Sequence, residues 1–159
     1  ADLLQIGSRN MQNFALLHAV GRVGKPILLK RGMMSTVDEW LLAGEHALKA
    51  GAASVIFCER GIRSFDSGTR NVLDLGAVAR LKFEFGLPVV ADPSHGVGRR
   101  DLVPPLSKAA VAAGADGLLI EVHPDARQAK SDGPQALSPE AFDRLANALH
   151  VRATATSAS

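Results

Sequence analysis

Arg9, Lys30 and Arg60 each stand at or just past the end of a short apolar run, and three cations brought to one place would repel one another unless an anion lay between them. Phosphate and carboxylate are the natural anions, since arginine offers a bidentate fork and lysine a point charge. Further along lie His95, Glu121 and Asp132, an imidazole and two carboxylates. Nitrogen and oxygen donors of this kind suit a divalent ion such as Mn, Fe, Co or Zn, with substrate or water completing the shell. Each residue also has a plainer reading. Lys30 fits a solvated strand end, Arg60 an ion-pair partner for Glu59, His95 a turn residue bonded to backbone, and the three donors a hydrogen-bonded loop network. Their spacing matches no short metal motif, so it leaves both accounts open.

Chemistry at these positions depends on the elements that carry them. Five short apolar runs suit buried parallel strands: Leu3 to Gly7, Ile27 to Lys30, Val55 to Glu59, Val89 to Asp92 and Leu118 to Val122. Helical patterns lie between them and after the last: Asn13 to Val20, a stretch opening at Ser35-Thr36-Val37-Asp38-Glu39, Asp74 to Phe85, Asp101 to Ala113 and Pro139 to Val151. In the second of these a hydroxyl and a carboxylate three residues on resemble a capping box, and Val37, Trp40, Leu41 and Leu48 share a face. Gly86 and Gly114 are placed to stop helices, and Ser138-Pro139-Glu140 to start one. Strands open about every 30 residues, the spacing of βα units.

A parallel sheet needs both faces covered, which leaves a doubly wound sheet or a barrel. No Gly-x-Gly-x-x-Gly follows the first strand. Polar residues recur instead at the carboxyl ends of all five: Arg9, Lys30, Glu59 with Arg60, Asp92 with His95, and Glu121 with His123. That distribution predicts a barrel mouth, where the loops after successive strands converge. A whole (β/α)₈ TIM barrel takes about 250 residues, so this α/β chain of 159 is expected to supply a partial barrel of about five βα units. Its strand-like start at Ala1-Asp2-Leu3 leads to the expectation of truncation. Residues 1–151 are read as the partial barrel domain, and the segment 152–159, rich in Ala, Ser and Thr, as a disordered tail.

Composition sets the remaining bounds. A chain with 47% hydrophobic residues can bury one ordinary core. Its formal charge of +2, with Lys and Arg scattered, supports neither a nucleic-acid nor a membrane surface. The single cysteine, Cys58, excludes an intramolecular disulfide. No leader-like segment is evident and no apolar run approaches the roughly 20 residues of a membrane span, so a cytoplasmic location is the default.

Five segments then carry a resemblance. Gly7-Ser8-Arg9-Asn10-Met11-Gln12-Asn13, Leu29-Lys30-Arg31-Gly32, Cys58-Glu59-Arg60-Gly61-Ile62-Arg63, Asp92-Pro93-Ser94-His95, and Glu121-Val122-His123-Pro124-Asp125 with Ser131-Asp132-Gly133-Pro134-Gln135 are similar to consecutive signature segments of the type I beta 3-deoxy-7-phosphoheptulonate (DAHP) synthases. They cover nearly the whole chain in the family's order and correspond to the C-terminal part of its barrel. The resemblance implies a metal-dependent, aldol-like condensation of phosphoenolpyruvate with erythrose 4-phosphate, the entry step of the shikimate pathway to aromatic amino acids, with release of inorganic phosphate. It implies that Arg9, Lys30, Arg60 and His95 bind substrate, that Lys30 and His95 are catalytic, and that His95, Glu121 and Asp132 ligate the metal. That ion would polarise the sugar aldehyde, Lys30 is a candidate for proton transfer, and Asp92 either orients His95 or caps the turn before Pro93.

Two family features are absent from this sequence: a metal-ligand cysteine on the first barrel strand, and a Lys-Pro-Arg-Thr-Ser segment on the second that binds both substrates. Cys58 does not replace the former, because it falls in the Cys-Glu-Arg-Gly segment of the sixth strand, where a buried thiol acts as a small hydrophobe. A five-stranded arc also leaves two edges unpaired, from which follows the expectation of a homo-oligomer or of association with the missing N-terminal strands. The competing readings are a 3-deoxy-8-phosphooctulonate synthase-like enzyme and a non-catalytic phosphoenolpyruvate-binding fragment. Other residues read as quiet: His18, His46 and His150 as surface or packing histidines, His123 as either a supporting group or a turn former, and Gly96-Val97-Gly98-Arg99-Arg100 as either a phosphate loop or a tight turn.

Overall fold

The computed structural model describes residues 1–156, with side chains as far as Leu149. Five parallel strands, β1 (Leu4–Ile6), β2 (Ile27–Lys30), β3 (Val55–Glu59), β4 (Val89–Ala91) and β5 (Gly117–Leu118), form one sheet whose spatial order repeats the chain order. A doubly wound sheet reverses its strand order at a switch point. Here the order never reverses, so successive right-handed crossovers lay their helices on one face and the sheet is an arc of a (β/α)₈ barrel.

Strand alternation sorts the side chains of this arc. Ile27 and Leu29 of β2, Val55 and Phe57 of β3 and Val89 of β4 enter a core shared with Leu17, Trp40, Val78 and Leu81 on the helical side. Trp40 is wholly buried, packs edge-on to Phe57 at 5.2 Å between centroids and donates its indole N–H to Leu29 O at 3.1 Å. Burying each of the large side chains stabilises the arc by about 1.5–3 kcal/mol. The alternate positions, Leu28 and Lys30, then Ile56 and Cys58, then Val90, face the barrel interior.

Helix starts follow the local chemistry. Asn13 caps α1 (Phe14–Gly21) through Leu16 N–H. Ahead of α2 (Val37–Lys49), Thr36 Oγ1 accepts from Glu39 N–H at 3.1 Å while Glu39 Oε2 accepts from Thr36 N–H at 2.7 Å, the reciprocal box that the sequence predicts. Asp74 caps α3 (Leu75–Ala79), which passes into a π-helical turn at Arg80–Glu84 rather than continuing as the regular helix expected to Phe85. Pro93–Val97 forms a helix, α4, where the sequence suggested only a turn, with Asp92 as its cap. A 3₁₀ turn at Arg100–Leu102 leads into α5 (Val103–Ala112), and α6 spans Pro139–Thr156, past the Val151 end expected for it. Of the segment read as a tail, 157–159 lie outside the described residues.

The fifth strand is shorter than the expected Leu118 to Val122 run. Its ladder with β4 stops at Leu118, and Val122 makes one bridge to Leu137 instead. On the outer helices His18 Nε2 lies 3.4 Å from His46 Nδ1, with Phe14 against the His46 ring, as packing histidines would; the side chain of His150 lies outside the described residues. Among the described residues, no helix is long and apolar enough to cross a membrane.

Candidate active site and metal-donor cluster

The carboxyl ends of the first four strands carry the four residues expected to bind substrate. Arg9 sits in a 3₁₀ turn, Ser8–Asn10, directly after β1; Lys30 ends β2; Arg60 follows β3; His95 lies on α4 directly after β4. These four side chains line one cavity of about 280 Å³, together with Arg70 and backbone or side chains of the Gly7–Asn10 turn. Four cationic side chains and an imidazole around so small a volume give it the chemistry to receive an anion.

Arg60 is the sharpest case. Its residue is 6% exposed, and its Nε and Nη1 are buried without a hydrogen-bond partner among the described residues. Burial pulls the guanidinium below its ordinary value, against the opposing pull of the Asp92 carboxylate. The ion-pair reading of Arg60 with Glu59 does not hold. Neighbouring strand-end residues face opposite sides, and Glu59 turns to the helical side, where Arg31 Nη1 donates to its Oε2 at 2.9 Å. Lys30 is not a solvated strand end either, because it is 7% exposed and donates to Asp92 Oδ2 at 2.8 Å.

Asp92 serves several groups at once. Its Oδ1 accepts from the His95 backbone N–H at 2.9 Å, capping α4, while its Oδ2 lies 2.8 Å from His95 Nδ1. The two roles open in the sequence, cap and orienter, are therefore both filled by one carboxylate. Burial would push this carboxyl up, but the His95 hydrogen bond and the Lys30 charge outweigh it and hold it below the usual carboxylate range. With Nδ1 engaged, His95 presents Nε2 away from Asp92.

That nitrogen faces the two remaining donors, 3.8 Å from Glu121 Oε1 and 3.5 Å from Asp132 Oδ2. One donor atom from each of the three residues lies within 4.8 Å of the others. Ligand atoms about 2.1 Å from a shared ion stand about 3–4 Å from one another; both His95 separations fall in that range, and this nitrogen and oxygen donor set could hold a divalent cation. A ligating imidazole whose other nitrogen meets a carboxylate is the usual supporting arrangement. Ser94, wholly buried, accepts from Glu121 N–H at 3.0 Å and so ties the end of the fifth unit to α4. Asp132 adopts φ 57°, a left-handed conformation that aspartate tolerates, and its Oδ1 accepts from Gln135 Nε2 at 2.6 Å.

Arg70 carries a role the sequence did not single out. Its Nη1 lies 3.4 Å from Asp132 Oδ1, linking the anion cavity to the donor cluster, and its backbone N–H donates to Val97 O at 2.9 Å. Asn71 Nδ2 donates to His95 O at 3.1 Å, so the 70–71 segment is strapped to the helix that holds His95. His123 takes the plainer of its two readings, with Nδ1 accepting from Asp125 N–H in a turn. Gly98, at φ 66°, closes α4 as a tight turn.

Comparison with known proteins agrees with the fold. Residues 1–157 match the sequence model of the DAHP synthetase I family. The chain is 53% identical over 145 residues to a phospho-2-dehydro-3-deoxyheptonate aldolase of Thermotoga maritima, covering 91% of this chain and 43% of that protein. It is 36% identical over 160 residues to a 2-dehydro-3-deoxyphosphooctonate aldolase of Alkalilimnicola ehrlichii, covering 93% of this chain and 56% of that protein. The crystal structure of the Thermotoga maritima phospho-2-dehydro-3-deoxyheptonate aldolase (DAHP synthase) superposes with a TM-score of 0.95 at 51% identity, over 98% of this chain and 46% of that one. A truncated form of the 3-deoxy-D-arabino-heptulosonate 7-phosphate synthase of the same organism gives the same score, with 60% of its chain covered. This chain thus spans about half the length of the curated relatives it matches.

Proposed function

This chain belongs to the DAHP synthetase I family, and on that premise we propose that the protein carrying it condenses phosphoenolpyruvate with erythrose 4-phosphate, consuming one water, to give 3-deoxy-7-phosphoheptulonate and inorganic phosphate. The observation that carries the reading is Arg60, buried with two nitrogens unpartnered, in a cavity lined also by Lys30 and by His95 of the donor cluster. A small substrate bearing both a phosphate and a carboxylate supplies what Arg60 lacks. The higher identity to the seven-carbon enzyme, 53% against 36% for the eight-carbon one, favours erythrose 4-phosphate over arabinose 5-phosphate as the aldose.

In the proposed reaction Arg60 and Arg9 hold the phosphate and carboxylate of phosphoenolpyruvate, Arg60 through its fork and Arg9 from the exposed turn. Lys30 adds a third positive charge, and its tether to Asp92 keeps the ammonium at the base of the cavity. That placement suits it to move a proton at the substrate. His95, Glu121 and Asp132 would hold a divalent ion, drawn from Mn, Fe, Co and Zn, which supplies electrophilic assistance to the aldehyde oxygen. Asp92 keeps the His95 ring fixed with Nε2 outward. We place the reaction in the cytoplasm, with the arc completed by further barrel strands or by other copies of the chain.

Parallel assays of the intact protein with Mn²⁺, phosphoenolpyruvate and either aldose test the reading. Turnover with erythrose 4-phosphate is expected. Preferential turnover of arabinose 5-phosphate, or phosphoenolpyruvate binding with no product from either sugar, would replace it by the corresponding alternative.

A further inference from the structure

Beside each of the two cavity cations stands a charged residue that points the other way. Arg31, next to Lys30, and Glu59, next to Arg60, both turn to the helical side of the sheet, and they are 5% and 0% exposed. Arg31 ties two consecutive βα units together there. Its Nη1 donates to Glu59 Oε2 at 2.9 Å and to Asp74 Oδ2 at 2.9 Å, and its Nε donates to Ser35 O at 3.0 Å. Its guanidinium lies 5.8 Å from the centre of the Trp40 ring.

The other oxygen of Glu59 reaches forward. Oε1 accepts from Gly61 N–H at 2.7 Å, closing a short loop around the residue between them, Arg60. Gly61 takes φ 92°, and a Cβ there would stand 2.8 Å from Gly96 Cα, so this turn has no slack against α4. With its flanks fixed on both sides, the Arg60 side chain is left the cavity as its direction. Burial meanwhile pushes the Glu59 carboxyl up despite the bond and charge of Arg31. An ion that costs more to bury than its partner returns is a poor device for stability, since apolar residues fill such places better. What it holds in place accounts for it.

We propose that Glu59 is a positioning residue of the anion cavity: anchored by Arg31 behind the sheet, it fixes the turn that aims Arg60 at the substrate without reaching the substrate itself. The inference rests on reading the cavity as a phosphoenolpyruvate site.

A double-mutant cycle on the intact protein tests it, with phosphoenolpyruvate binding measured by calorimetry and folding checked by thermal melting. Arg60→Ala is expected to weaken binding about a hundredfold. Glu59→Gln is expected to weaken it about tenfold when Arg60 is present and less than about twofold in the Arg60→Ala background, because residues that act through one another are not additive. Equal effects of Glu59→Gln in both backgrounds, or no effect in either, would overturn the proposal and leave the binding site standing. An Arg60→Ala protein that binds as tightly as the parent would instead remove the site reading. Should Glu59→Gln fail to fold, Arg31→Lys, which keeps the charge but not the fork, runs the same cycle with the same expected coupling and the same overturning result.

Discussion

Lys30 Nζ lies 2.8 Å from Asp92 Oδ2, and the two side chains are 8% and 1% exposed, so the ends of β2 and β4 are joined by a buried ion pair that reaches across β3. Removing one partner leaves the other charge largely buried without its counterion. Lys30→Met and Asp92→Asn are each expected to destabilise the fold by about 3 kcal/mol, with the double variant costing less than the sum. Chemical denaturation of the three variants measures this. Additive losses would mean that the two groups do not depend on each other.

The donor cluster makes a separate prediction. Substituting Ala for His95 or Asp132 should abolish stoichiometric Mn²⁺ binding in calorimetry. Asp92→Asn should weaken it about 10- to 100-fold, because the ring is then oriented by a neutral amide while its ligating nitrogen is intact. A smaller loss is expected for Gln at Glu121, the most exposed of the three, at 42% of its side chain. Unchanged Mn²⁺ affinity in the His95 variant would favour the plain hydrogen-bonded network.

How much of this was open to reading from the residues varies by element for physical reasons. Ile27–Lys30 and Val55–Glu59 are buried through most of their length, so an unbroken apolar run marks them to the residue. The fifth strand has a partner in this chain on one side only, so apolar character beyond Leu118 does not translate into ladder. Helix α4 escaped because Pro93-Ser94-His95-Gly96-Val97 is too short for periodicity and is held by the Asp92 cap rather than by propensity. The convergence of Arg9, Lys30, Arg60 and His95 was legible because each follows a strand, and barrel topology brings strand ends together. Arg70 was not, since it lies in the long loop between β3 and α3 and is placed by hydrogen bonds to α4. The plainer account of Arg60, an ion pair with Glu59, fails on one rule: residues next to each other along a strand face opposite ways, which makes Arg31 and not Arg60 the counterion of Glu59.

The raised Glu59 carboxyl predicts a pH signature. A folded-state value above the ordinary glutamate one, about 4.3, means that the folded chain holds this proton more tightly than the unfolded chain does. Folding then loses stability as pH climbs from about 4.3 to the folded value, and the loss stays constant above it. Gln at this position does not titrate. The melting temperature of Glu59→Gln relative to the parent should therefore shift in the variant's favour as pH rises above about 4.3. A difference that does not change with pH would mean that Arg31 fully offsets the burial.

At Gly61 the backbone and the site constrain one another closely. At φ 92° an L side chain is strained, and its Cβ would meet Gly96 Cα at 2.8 Å, Gly96 O at 2.9 Å and Asn71 Cβ at 2.8 Å. Two of these contacts are backbone of the helix that carries His95, so they cannot swing aside as a flexible side chain would. Gly61→Ala is expected to cost about 2–4 kcal/mol, from the left-handed conformation and the overlap together. Relief requires β3 and α4 to move apart, which would carry Arg60 away from His95. The folded fraction should then bind phosphoenolpyruvate more weakly as well as melting lower, and measuring both on one sample separates the effects. A variant that melts lower yet binds with parental affinity would show that the turn supports the fold alone.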